Sequence, residues 1–108
     1  MDTKTYISTL KSKSRNTVPV AMRQALCYYL YKENIPHRVI AYVMGVSLRL
    51  VYMNIYRVID LLEVNDNTIL SALDEAKEHS IAIRPYTVDG AIMTRHLGYR
   101  LIIDNIIY

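Results

Sequence analysis

The residues best suited by type and spacing to do chemistry are cations. Lys11, Lys13 and Arg15 alternate with serines in a stretch, Lys11 to Thr17, that has almost no apolar content, and Arg23 follows inside the next apolar segment. Ammonium and guanidinium groups spaced in this way can meet successive phosphates of a nucleic acid or reach into a minor groove. With Lys4 they place five positive charges in the first 23 residues against Asp2 alone, whereas Asp60 to Glu78 is acidic apart from Lys77. The overall charge of +3 permits nucleic-acid binding, and its distribution puts the basic face at the N-terminal end.

A second set of side chains lies where a helix would begin. Ser47, Leu48, Arg49, Tyr52 and Met53 would sit on its first turns. Arg49 is the strongest candidate among them for a base contact, since a guanidinium can donate two hydrogen bonds to a guanine edge, worth about 1–3 kcal/mol of discrimination. Leu48, Tyr52 and Met53 offer few donors. They suit a thymine methyl or, as an alternative, the surface of another protein.

Other chemistries are weakly served. His37, His79 and His96 are scattered with no second ligand type at zinc-like spacing, and no nucleophile motif is recognisable among the Ser, Asp and Glu residues. Asp74-Glu75 with Lys77-Glu78 reads as the solvated face of a helix. The single cysteine, Cys27, lies among apolar residues and reads as a small buried hydrophobe. The expectation is a binding protein rather than an enzyme, with no cofactor, metal or small-molecule substrate implied.

Positioning these residues requires helices. Thr3 or Thr5 can cap a short one carrying Tyr6, Ile7 and Leu10 on one face, and the basic loop follows. Pro19 suits the first turn of a second helix, striped with Met22, Leu26, Tyr29 and Leu30 as far as about Glu33. Asn34-Ile-Pro36 breaks it. A third helix turns Ile40, Val43 and Met44 inward and ends at Gly45, which can adopt the left-handed conformation. Ser47 caps a fourth, in which Val51, Ile55, Val58 and Leu62 hold one face. A fifth runs from Asn67 to Glu78, capped by Asn65 or Asn67, with Ile69, Leu70 and Leu73 inward.

Between Pro36 and Leu62 this pattern predicts a helix-turn-helix: Ala41 where the helices cross, Gly45 at the turn and Val51 as the anchor. The usual further anchor position is Asn54, so Ile55 must serve instead. Beyond Ser80, Ile81-Ala-Ile83 alternates like a strand and Asp89-Gly90 suits a hairpin turn, yet Ala91 to Leu97 and Leu101 to Ile107 also suit helices, and helix is the favoured reading for both. The predicted fold class is all-α, a helix-turn-helix bundle with residues 1–65 as its core and residues 66–108 as a C-terminal extension packed on it within one domain. The apolar end, Tyr99 to Tyr108, needs cover from that core or from a second copy, which makes a homodimer an expectation. No apolar run approaches the ~18 residues of a membrane span, and the N-terminus lacks a secretory hydrophobic region, so a cytoplasmic location is expected.

The order of features resembles the C-terminal DNA-binding domain of the bacterial replication initiator DnaA, which has a Trp-repressor-like helical fold. The resembling residues are Leu10-Lys-Ser-Lys-Ser-Arg15, Arg23-Gln24, Tyr29-Leu-Tyr-Lys-Glu33, the turn around Gly45, and Val51 to Leu62, spanning about residues 6 to 63. The resemblance implies double-stranded DNA binding, with Arg15 as a minor-groove arginine, Lys13 and Arg23 as backbone contacts, and Arg57 as a basic residue late in the reading helix. The family's Gly-Gly-Arg-Asp-His-Thr-Thr motif is replaced by Gly45-Val-Ser-Leu-Arg-Leu50, without its base-reading Asp, His and Thr. No Gly-rich phosphate loop with Gly-Lys-Ser/Thr accompanies it, so the resemblance is to the DNA-binding module and not to the initiator's ATPase domain. The expected role is therefore that of a freestanding DNA binder in transcription or mobile-element replication. The alternative is a scaffold of the same shape that binds protein.

Overall fold

The computed structural model describes residues 1–89 and 95–108. Five helices come first: α1 Thr3–Lys11, α2 Thr17–Lys32, α3 His37–Met44, α4 Leu48–Glu63 and α5 Asn67–Glu78. Three strands follow: β1 Ile81–Asp89, β2 Arg95–Ile103 and β3 Ile106–Ile107. They form one antiparallel sheet in the order β1-β2-β3. The fold is thus mostly helical with a small sheet, a correction to the all-α expectation.

The correction has a local cause. Ile81-Ala-Ile83 and Leu101-Ile-Ile103 are rich in β-branched residues, which pack well on a pleated surface and poorly against a helical turn. Asp104 and Asn105 then both take positive φ, 50° and 65°, and join β2 to β3 as a two-residue turn between Ile103 and its partner Ile106. Tight hairpins need that left-handed pair, and Asp and Asn tolerate it better than most residues do. The helix expected over Leu101 to Ile107 is therefore strand, turn and strand, and residues 95–97 of the other expected helix lie on β2. Its residues 91–94, and Gly90 of the Asp89-Gly90 turn, lie outside the described residues.

α2 is the central helix, packing against α1, α3, α4 and α5. Its Ala25, Leu26, Cys27 and Leu30 are buried together with Tyr6 and Leu10 of α1, Ile40 of α3, Val51, Ile55 and Val58 of α4, and Ile69 and Leu73 of α5. Leu101 and Ile103 bring the base of the sheet into the same core, and a side chain of this size stabilises by about 1.5–3 kcal/mol when fully buried. Asp2 and Asp66 cap α1 and α5, each accepting from the amide three residues on, in place of the expected Thr3 or Thr5 and Asn65 or Asn67. Leu70, expected inward, is exposed, and Ala72 and Ala76 take the inner face of α5.

A polar cluster ties the two ends of the chain together. The Asp104 carboxylate accepts from Thr3 Oγ1 at 2.6 Å and from the Ser80 amide at 2.7 Å, and it also hydrogen-bonds His79 Nδ1. The buried His79 ring stacks on Tyr6 with centroids 4.3 Å apart, and its Nε2 faces Glu75 at 3.3 Å. The hydroxyl here binds the carboxylate rather than the imidazole, so no nucleophile–base pair is formed. The two carboxylates hold opposite sides of one ring and do not converge on a point where an ion could sit.

The His79, Thr3 and Ser80 hydrogen bonds hold the Asp104 carboxyl well below its ordinary 3.8, at about 2. A carboxyl more acidic in the folded state stabilises fully above its unfolded value, and that contribution is lost as pH falls through the folded one. Thermal stability is therefore expected to drop between about pH 4 and pH 2. In Asp104→Asn the drop should shrink and the melting temperature near neutral pH should fall. Circular-dichroism melts across that range check both, and an unchanged acid limb in the variant contradicts the assignment.

Candidate nucleic-acid interface

α3 and α4 meet at 106° across the three residues Gly45, Val46 and Ser47. Gly45 ends α3 with φ 68°, and its amide donates to the Tyr42 carbonyl while that of Val46 reaches back to Ala41. Ser47 then caps α4, its hydroxyl accepting from the Leu50 amide at 3.1 Å. Ile40 and Val51 are fully buried and lock the pair from either side of the turn. Asn54 is half-buried and donates to Cys27 Sγ at 3.5 Å, so its amide is used inside the fold, and Ile55 takes the anchoring place beside it. Burial pushes the Cys27 thiol up to about 11, which keeps it protonated and unreactive.

The basic loop is held rather than loose. The Arg23 guanidinium donates to the Ser12 carbonyl at 2.7 Å and to the Ser14 carbonyl as well. Ser12 closes α1 through its amide and hydroxyl, both on the Thr9 carbonyl, and the Ser14 hydroxyl accepts from the Asn16 amide. Two donors of the guanidinium fork are thereby spent on positioning the loop, and Lys11, Lys13 and Arg15 point outward from it, all exposed. The Lys11 ammonium sits 5.0 Å from the centre of the Tyr108 ring.

Loop and helix pair face each other across a groove of about 980 Å³. Lys11, Lys13 and Arg23 line one side of it, Arg57 and Asp60 of α4 the other, and Leu50, Met53 and Tyr56 give it an apolar wall. Arg57 also lines a smaller neighbouring depression together with Arg15. Four of the eight residues expected to contact DNA therefore line this groove, Lys11, Lys13, Arg23 and Arg57, and Arg15 lies in the adjoining depression. Ser47, Arg49 and Tyr52 do not line this groove. Arg49 and Tyr52 are exposed on the first turns of α4, and the Tyr52 ring stacks on His37 with centroids 4.4 Å apart.

No family model, curated protein or solved structure matches this chain. Among the described residues no single helix is long and apolar enough to cross a membrane, and no three His, Cys, Asp or Glu side chains gather as a metal-binding group. His37 and His79 are taken up by ring stacking, and the side chain of His96 lies outside what is described.

Leu50, Tyr56, Gln24 and Tyr108 are groove residues to which the sequence reading assigned no contact. A signal for two of them was present, since Leu50, Met53 and Tyr56 recur every third position on a helix whose core face is already filled by Val51, Ile55 and Val58. Met53 and Tyr56 are 56% and 65% exposed, the outer flank of that second stripe. Tyr108 carried none, because it arrives only through the β2–β3 turn.

Proposed function

We propose that this protein binds double-stranded DNA through a helix-turn-helix formed by α3 and α4, with α4 in the major groove and the Lys11–Arg15 loop against the adjacent minor groove. The observation that carries this reading is the convergence of a hydrogen-bonded basic loop and an outward-facing helix on one groove edged by four cations and the single carboxylate of Asp60. The right-angled helix pair and its three-residue turn fit the geometry such motifs need. With the two elements in neighbouring DNA grooves, the sugar-phosphate ridge between them lies over the protein's own groove, where Lys11, Lys13, Arg23 and Arg57 neutralise it. The resemblance to the DnaA domain supports the same assignment of loop and helix.

Sequence preference would come from the first turns of α4. Arg49→Ala is expected to cost about 1–3 kcal/mol on the preferred site and much less on random duplex. Site selection followed by fluorescence-anisotropy titration measures the two, and an equal loss on both makes Arg49 a phosphate contact only. A protein-binding role is the second reading, favoured by the exposed Leu50, Met53 and Tyr56. On that reading wild-type protein shows no salt-dependent binding to duplex DNA.

A further inference from the structure

The groove between the basic loop and α4 continues into a depression of about 320 Å³. Val20, Gln24 and Arg57 line both, so the two open on the same side of the molecule. Arg15, from the end of the loop, and Arg57, from the middle of α4, both edge the depression, and its lining includes the buried Ala21 and Ile69 and the half-buried Leu61. Two cations from distant parts of the chain thus share one small hollow with an apolar base.

Neither charge is answered from within the fold. Both arginines are exposed, and among the described residues neither has an ion pair or a side-chain hydrogen bond. The one carboxylate of the depression, Asp66, caps α5 by accepting from the Ile69 amide at 2.9 Å and pairs with neither of them. The loop is nevertheless held on both sides of Arg15. The Ser14 carbonyl accepts from Arg23, and the Asn16 amide donates to the Ser14 hydroxyl at 3.2 Å. Two guanidinium forks set beside one hollow suit an oxyanion that accepts from both.

The resemblance assigns Arg15 to a minor groove, which requires a side chain that projects away from its neighbours. Here it edges a hollow shared with α4. Between a helix in the major groove and a loop at the adjacent minor groove runs the sugar-phosphate backbone, and the hollow lies between that helix and that loop. An apolar base suits the deoxyribose, and the two guanidiniums suit the phosphate. Contacts of this kind carry no base information but fix the register of the reading helix.

We infer that Arg15 and Arg57 form a seat for a single backbone phosphate of the bound duplex, which sets how α4 lies in the major groove. This rests on the DNA-binding reading of the helix pair and gives Arg15 a different contact from the one the resemblance implies. The test uses a duplex carrying the preferred site, with each phosphate across it replaced in turn by an uncharged methylphosphonate. It is titrated with wild type, Arg15→Ala, Arg57→Ala and the double variant.

One methylphosphonate position is expected to weaken wild type about tenfold, the scale of a lost charge-assisted contact, and to leave the double variant unaffected. On the unmodified duplex the double variant should lose at least about threefold less than the product of the two single losses, because the pair shares one partner. The loss from Arg15→Ala should be equal on A·T-rich and G·C-rich flanks. If every methylphosphonate acts on the double variant as on wild type, or the single losses simply multiply, the seat is refuted and the helix-pair reading stands. A loss from Arg15→Ala confined to A·T-rich flanks places this arginine in the minor groove and also refutes the seat. If wild type binds no duplex at all, both readings fall.

Discussion

Alanine at Lys11, Lys13 and Arg15 together is expected to weaken duplex binding on the order of a hundredfold at low salt and to flatten the log–log salt slope by roughly 3. The magnitude follows from three exposed cations acting on one ridge of phosphates, each releasing about one counterion when it binds. The fold should be untouched, because what shapes the loop is not these side chains. The Arg23 guanidinium grips the Ser12 and Ser14 carbonyls, and Ser12 closes α1 through the Thr9 carbonyl. Those bonds involve backbone oxygens that the triple variant retains. Fluorescence anisotropy at several salt concentrations reads affinity and slope together, and unchanged values place DNA elsewhere on the molecule.

Leu26→Ala should have the largest effect on stability, a loss of roughly 2–5 kcal/mol. Leu26 is fully buried on α2, the helix against which the other four pack, so the cavity it leaves cannot be closed by one helix shifting alone. A fall in melting temperature of at least about 8 °C is expected for a domain of this size. Tyr56→Ala supplies the contrast, since an exposed ring of similar apolar area should change stability by no more than ~0.5 kcal/mol while altering binding at the groove. Urea unfolding of the two variants separates the residue that builds the fold from the one that uses it. A small loss for Leu26→Ala would mean that the bundle repacks freely.

The helical part of the fold was legible because its signals are local. Val51, Ile55 and Val58 repeat at the period of a helix and are buried as expected, Gly45 takes the left-handed turn, and Ser47 caps α4. The C-terminal part was not, because Leu101 to Ile107 satisfies helical spacing as well as strand alternation. The deciding feature was the Asp104-Asn105 pair between two isoleucine pairs, a hairpin signal that outweighs the apolar spacing around it. The cap misreadings were shifts of one to three residues, with Asp2 taking the place expected of Thr3 or Thr5 and Asp66 that of Asn65 or Asn67.

The candidate interface divides in the same way. The charge of the loop and the outward stripe of α4 were visible as composition and period. Their meeting across a groove depends on Arg23 folding back eleven residues onto Ser12, and on Tyr108 returning beneath Lys11. Neither contact leaves a trace in local sequence.

The hydrogen bond from Thr3 to Asp104 spans nearly the whole chain, 101 residues apart. The entropy of closing so long a loop must be met before this contact contributes anything, whereas the turns joining α2 through α5 close cheaply. The helical core can therefore assemble while both chain ends are still searching. Once they are joined, loosening α1 would remove Tyr6 from under His79 and release the corner from which the β1–β2 ribbon springs. The first helix thus serves as a latch on the last hairpin, and the foothold of an element at one end of the chain is set by residues at the other.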